Sequence, residues 1–218
     1  MAAMCASIHR DVRRSRRKRA SPLLVWAARQ LRGFVRLPSA VRRFYFLALV
    51  TALRTRDHRT LGYVTYPDEL SNVLMLARGR WQIIELGTGA AWTAIALALT
   101  DERSKVVTYD IRQQANRERY LRLVKPTVRA RIHFHEGPGA NGPSEPTPVG
   151  LLYIDSSHER DETISSFRAW EKVIEPGGVV AFHDYANPRW PGVTDAITEL
   201  GLVGDRPAPV LFVWRKPT

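Results

Sequence analysis

Glu85-Leu86-Gly87-Thr88-Gly89-Ala90-Ala91-Trp92 closes the apolar run 81–86, and its reading decides the fold. The run suits a buried strand that ends on an acid. Two glycines then let the backbone turn tightly and a ligand approach closely. Trp92-Thr93-Ala94-Ile95-Ala96-Leu97-Ala98-Leu99 reads as a helix whose N-terminus faces that turn. Strand, glycine turn and helix in this order make a nucleotide or nucleoside pocket at the carboxyl edge of a parallel sheet. A pyrophosphate cradle of the G-x-G-x-x-G type needs a third glycine, and Trp92 stands at that place. The acid on the strand suits a cationic or hydroxylated ligand better than a pyrophosphate, which disfavours a nicotinamide oxidoreductase.

Outward from this stretch the chain alternates. Strands are expected at 82–86, 105–109, 131–135, 150–154 and 178–182, with helices near 91–100, 113–123 and 161–174. Such alternation indicates a parallel sheet wound by right-handed crossovers, an α/β Rossmann-like architecture. In the helix at 161–174 the buried stripe is Ile164, Phe167, Trp170 and Ile174, and Pro176-Gly177-Gly178 turns it into the next strand. A helix near 192–200 precedes two short strands, around 201–204 and 209–215, separated by the turn-prone Asp205–Ala208. Upstream, Asp68–Ala77 reads as a helix begun by Pro67. Segment 137–149, rich in Pro and Gly, reads as a loop near the ligand edge.

Charge divides the chain. Of the 33 Lys and Arg, 15 lie in residues 1–60 against 2 acids, while residues 61–218 carry 18 against 19; the net charge is +12. The basic character therefore belongs to the N-terminal extension, and a nucleic-acid enzyme would carry it around the pocket. Residues 1–20 form a polybasic tail without an apolar period, expected to be disordered. Residues 21–62 hold two helical patterns, Leu23–Val35 and Ala40–Arg54. A basic amphipathic helix suits peripheral contact with a membrane; the same pattern suits a cap over the sheet or a homo-oligomer interface. No stretch reaches the ~20 apolar residues needed to span a bilayer, and the run 22–28 is too short for a signal peptide. The single Cys5 fits a reducing, cytoplasmic location.

Asp110 ends the second strand 25 residues after Glu85, where a carboxylate accepts hydrogen bonds from a ribose diol. Glu85–Thr93, Asp110, Asp155-x-x-His158, Pro176-Gly177-Gly178 and His183-Asp184-Tyr185, in this order and spacing, resemble class I S-adenosylmethionine-dependent methyltransferases. Within that class they resemble the macrolide-sugar O-methyltransferase and cephalosporin-hydroxylase-like group. The resemblance covers residues 63–218. It implies a mostly parallel seven-stranded sheet with helices on both faces and an antiparallel last strand. It further implies that Gly87, Thr88 and Gly89 pass under the methionine part of S-adenosylmethionine, with Glu85 and Asp155 in the same cofactor site. Asp110 would hold the ribose, and Glu136 and Gly137 would lie near the adenine. Ala91 departs from the group, which usually has glycine there.

Asp155 and Asp184 end adjacent strands, which brings two carboxylates to one rim, a pair suited to Mg²⁺. With His183 beside them as a third candidate ligand, Mn²⁺ and other softer ions enter. His158, three residues after Asp155, is placed to take the proton from a substrate hydroxyl as general base. His133 and His135 share a strand face with no third ligand near in sequence, which favours a structural role. Trp190 resembles the aromatic residue of a loop beside the acceptor pocket. The expected activity is methylation of a hydroxyl on a small metabolite: a sugar, glycolipid or polyketide-like acceptor. The alternative is a non-catalytic protein on the same fold, docked to anionic membrane through its basic helices.

Overall fold

The computed structural model describes residues 22–143 and 146–218. The basic tail expected at 1–20, with Cys5, lies outside the described residues.

The sheet is built from strands β1 (Gln82–Leu86), β2 (Lys105–Asp110), β3 (Ile132–Glu136), β4 (Val149–Ile154), β5 (Ile174–His183), β6 (Gly204–Ala208) and β7 (Leu211–Arg215). Their spatial order is β3-β2-β1-β4-β5-β7-β6. β1 to β5 pair in parallel, whereas β7 runs antiparallel to both β5 and β6. This is the mostly parallel seven-stranded sheet expected from the sequence. The order reverses between β1 and β4, and a sheet of this kind opens its ligand crevice at such a switch point.

Side chains alternate across the sheet, and each face buries its own core. On one side Ile83, Val106, Leu151, Tyr153, Val179 and Ala181 pack under α4 (Pro67–Ala77) and α5 (Trp92–Thr100). On the other, Ile84, Leu86, Leu152, Ile154, Val180 and Phe182 pack under α8 (Arg160–Trp170) and α9 (Pro191–Glu199). Glu85, Tyr153, Asp155 and His183 therefore share the α4–α5 face.

The N-terminal helices lie outside α4 and α5. α1 (Pro22–Arg36) crosses α4 closely at Gly33, where an added Cβ would land on the backbone of Pro67 and Asp68. α2 (Ser39–Arg54) packs on α5 through Val41, Phe44, Tyr45, Ala48 and Ala52. Phe44 and Tyr45 both meet the Trp92 ring edge-on, at 6.2 and 5.3 Å. Each such buried side chain contributes about 1.5–3 kcal/mol, which makes one face of these helices a cap.

Three local expectations are corrected. The helix expected over 161–174 stops at Trp170, and Ile174 belongs to β5. Pro176-Gly177-Gly178 lies within β5, where the register against β4 slips between Val149 and Leu151. Asp205–Ala208, read as a turn, is most of edge strand β6, and the turn is Pro209-Val210. An edge strand tolerates Pro207 because its missing N–H leaves no ladder bond broken. Two short helices went unread: α3 (His58–Tyr63), and α7 (Pro126–Arg129), which follows α6 (Arg117–Leu121).

Candidate active site

β1 delivers the chain to the glycine turn at the switch point. Gly87 N–H donates to the Tyr109 carbonyl at 2.8 Å, and Asp155 N–H donates to the Leu86 carbonyl at 2.8 Å. Gly87 has φ +102, and a Cβ there would land on the Asp155 carbonyl oxygen. Only glycine fits so close a passage. Ala91 caps α5 in the left-handed region at φ 66, which is uncommon for a non-glycine residue. That conformation gives a physical reason for the glycine usual in the group it resembles.

Around this turn opens a cavity of about 630 Å³. Its walls include Gly87, Thr88, Gly89, Asp110, Gly137, Asp155, His158 and Trp190. The structure thus gathers most of the expected cofactor residues, and the expected base, around one space. Asp110 stands at the end of β2, where its carboxylate accepts from the Gly89 N–H at 2.8 Å and the Arg112 N–H at 3.1 Å.

Glu85 and Glu136 are not on that wall. Glu85 is buried under it and accepts from the Thr108 hydroxyl at 2.6 Å; Thr108 in turn lies 2.7 Å from the Thr88 hydroxyl. Burial pushes its carboxyl up to about 8, against the opposing pull of the Thr108 hydrogen bond and the Arg117 charge. Glu85 therefore reaches the cavity through two hydroxyls, not directly. Glu136 pairs in register with Asp110 on the neighbouring strand, and its side chain is exposed. His133 and His135 are exposed on edge strand β3, with His135 stacked on Tyr109 at 4.9 Å.

His183 and Asp184 also lie behind the wall, in a chain of charges that includes a residue the sequence reading missed. Glu69, from α4, places Oε1 2.7 Å from His183 Nδ1. His183 Nε2 faces Asp155 Oδ1 at 3.7 Å and Asp184 Oδ1 at 3.5 Å. The Tyr153 hydroxyl lies 3.2 Å from Glu69 Oε1 and 3.4 Å from Asp155 Oδ2, two acceptors for its one proton. Burial works to lower the His183 pKa, but the charges of Asp155 and Glu69 outweigh it and carry it up to about 10. Burial likewise pushes Asp155 up to about 7, with His183 pulling the other way. An imidazolium has no lone pair for a metal. Among the described residues no three His, Cys, Asp or Glu side chains are placed to hold an ion. Asp155, His183 and Asp184 are therefore not gathered into such a set, with His183 Nε2 3.7 and 3.5 Å from the two carboxylates.

His158 turns Nδ1 toward Asp184 Oδ2 at 3.5 Å and packs its ring 4.7 Å from Trp190. Burial depresses its pKa against the pull of Asp184, which favours a neutral imidazole at neutral pH. Gly192, in the first turn of α9, fixes this place: a Cβ there would come within 2.6 Å of the His158 carbonyl oxygen.

The remaining wall comes from the N-terminal helices, through Arg59, Thr60, Tyr63 and Thr65. Asp57 caps α3 by accepting from the Thr60 N–H, and takes hydrogen bonds from Asn116 and Tyr120, each at 2.6 Å. Asp57-x-x-Thr60 was the signal for this helix. Trp92 Nε1 and Asn116 Oδ1, both from residues of the wall, are buried without partners among the described residues.

Residues 84–185 match the family model described as a methyltransferase domain. Among solved structures, the O-methyltransferase from Bacillus cereus in complex with SAH is 15% identical, with a TM-score of 0.65 over 90% of this chain and all of that one. The O-methyltransferase TomG of tomaymycin synthesis, from Streptomyces achromogenes in complex with SAM, is 17% identical, with a TM-score of 0.57 over 81% of this chain and 95% of its own. Both carry the fold described above. An uncharacterised protein of Acanthamoeba polyphaga mimivirus is 32% identical over 56 residues, 25% of each chain, so the match spans about a quarter of that relative.

Proposed function

We propose that this chain, whose residues 84–185 match a methyltransferase-domain family model, is a class I S-adenosylmethionine-dependent methyltransferase that methylates a hydroxyl of a small-molecule acceptor with His158 as the general base. The observation that carries this reading is the position of His158. It lies on the wall of the cavity that the glycine turn opens, with Nδ1 turned toward the buried Asp184 carboxylate at 3.5 Å. Nε2 is then the free acceptor of the ring.

The residues present fit the cofactor. Gly89 has open space where a Cβ would stand, Asp110 stands at the end of β2, and Trp92 Nε1 and Asn116 Oδ1 supply a donor and an acceptor without partners among the described residues. When bound, S-adenosylmethionine supplies a methyl group activated by its sulfonium charge. Asp110 would accept from the ribose hydroxyls with the lone pairs its backbone donors leave free. His158 removes the hydroxyl proton at Nε2 as the oxygen attacks, and Asp184 stabilises the imidazolium formed. Trp190 forms the side of the acceptor space against His158. No step of this scheme is routed through a metal, since no three His, Cys, Asp or Glu side chains among the described residues are placed to hold one. Nothing in the comparisons supports the non-catalytic alternative.

Calorimetric titration with S-adenosylhomocysteine, with Asp110→Ala as control, tests the cofactor assignment. Loss of hydrogen bonds to a charged group costs about 1.5–3 kcal/mol, so the variant binds about 10- to 150-fold more weakly. A methyl-transfer screen over hydroxylated acceptors follows. Absence of binding by the unaltered protein overturns the reading.

A further inference from the structure

We propose that the outward faces of α1 and α2 dock this protein on an anionic lipid bilayer. Each helix has two apolar faces. One is spent against α4 or α5, as described above. The second faces solvent: Leu24, Leu31 and Val35 on α1, at i, i+7 and i+11, are 65%, 66% and 60% exposed. On α2, Phe46 and Leu53 are 58% and 59% exposed, and Leu49 stands beside them. A helix that buries one stripe in its own fold and keeps a second in water is built to cover that second stripe with something else.

Charge complementarity selects the occupant. Residues 22–56 contain seven arginines, no lysine and no acid. On α1, Arg32 and Arg36 lie between the buried and the outward stripe, beside Arg29, which faces Asp68 of α4 at 3.9 Å; on α2, Arg42, Arg43 and Arg54 flank the outward one. Arg42 donates to the Val35 carbonyl at 3.1 Å and joins the two helices. A second copy of this surface would bring arginines against arginines, whereas anionic headgroups neutralise them while the leucines and Phe46 enter the acyl boundary. No helix among the described residues is long and apolar enough to cross a membrane, so contact through these helices is along the surface. The surface also adjoins the cavity. α2 leads within four residues into α3, whose Arg59 and Tyr63 are both exposed and on the cavity wall, and Trp26 of α1 packs edge-on against Tyr66 at 5.6 Å.

Flotation of the full chain with phosphatidylglycerol-containing vesicles, against pure phosphatidylcholine vesicles, tests this at an ionic strength of about 0.15 M. The protein is expected to float with the anionic vesicles alone. L31E/L53E, which leaves every arginine in place, is expected to lose at least about tenfold in partition, and L31A/L53A to lose less. S-adenosylhomocysteine binding, measured on each preparation, reports folding and stands apart from docking. Equal flotation of the unaltered chain and L31E/L53E overturns the proposal, since the tail would then carry binding alone. So does failure to float with anionic vesicles, or a solution dimer that L31E/L53E dissociates.

Discussion

Glu69 and His183 meet at 2.7 Å across 114 positions of sequence, joining α4 to the end of β5 beneath the cavity floor. Glu69 is almost fully buried and holds the ring whose other nitrogen faces Asp155 and Asp184. Hydrogen bonds between charged groups contribute about 1.5–3 kcal/mol, and a buried partner left alone adds its desolvation cost. Glu69→Gln keeps the shape and removes the charge, so urea unfolding at neutral pH should show a loss of at least about 1.5 kcal/mol. Unchanged stability would mean that the pair is neutral.

The same imidazolium makes a prediction about metal. A cation that sits between two carboxylates is already supplied by the chain, and an ion would have to displace its proton. S-adenosylhomocysteine affinity and methyl transfer should therefore be the same, within about twofold, after EDTA treatment and after readdition of Mg²⁺ or Mn²⁺. A tenfold or greater gain on readdition would show that the ring yields to a metal.

Stability should fall as pH rises through the neutral range. Glu85 and Asp155 are pushed up to about 8 and about 7, and His183 to about 10. All three thus bind their protons more tightly folded than unfolded. The folded chain holds more protons than the unfolded one from about pH 4, the ordinary carboxyl value, to about 10, so the slope of unfolding free energy against pH is negative there. His183 contributes fully below about 6.5, and its contribution is lost as pH passes through about 10. Urea midpoints should be higher at pH 6 than at pH 9, and His183→Gln should flatten the alkaline part. A flat or rising profile for the unaltered protein would refute this.

The parts of the fold legible in sequence are those whose signal is local. β1, β2 and β4 are apolar runs of strand length, and the glycines after β1 have one geometric use, so sheet and pocket follow from adjacent residues. The misreadings come from residues whose role is set at a distance. Pro176-Gly177-Gly178 carries a turn signature, yet it sits in β5 where the register slips against Val149–Leu151. Glu69 looks like an ordinary first-turn acid on α4, favourable to the helix dipole; only the packing of α4 over the sheet carries it to His183. His183 reads as a candidate ligand from its type and strand-end position; its pairing with Glu69 at 2.7 Å is set by packing that the local sequence does not carry.

Gly87→Ala should be among the most damaging single substitutions in this chain. The added methyl meets the backbone carbonyl oxygen of Asp155, a residue whose N–H is held by the Leu86 carbonyl, and φ of +102 is strained for alanine. Relief requires β4 to part from β1 at the switch point. The expected result is destabilisation by about 2 kcal/mol or more, as for overpacked cores and strained backbones, with loss of S-adenosylhomocysteine binding. A Tm and affinity close to those of the parent would show that the turn has room.

The role of His158 separates from folding through its pH dependence. A base must be neutral to act, and burial lowers its pKa below the ordinary 6.5 despite the pull of Asp184. The rate should therefore rise with pH on an acid limb whose midpoint lies below 6.5, and level off before neutrality. His158→Gln keeps hydrogen-bonding capacity but cannot take the proton, so kcat should drop about 10²- to 10⁴-fold. S-adenosylhomocysteine affinity should change little, because the lost interaction belongs to the acceptor, and the acid limb should disappear with the residue. Asp184→Asn tests the partner: without that carboxylate the His158 pKa falls further and the limb moves to lower pH, while the rate declines because the imidazolium formed in transfer loses its counter-charge. A limb that stays in place in both variants would assign the titration to another group and remove His158 from the role of base.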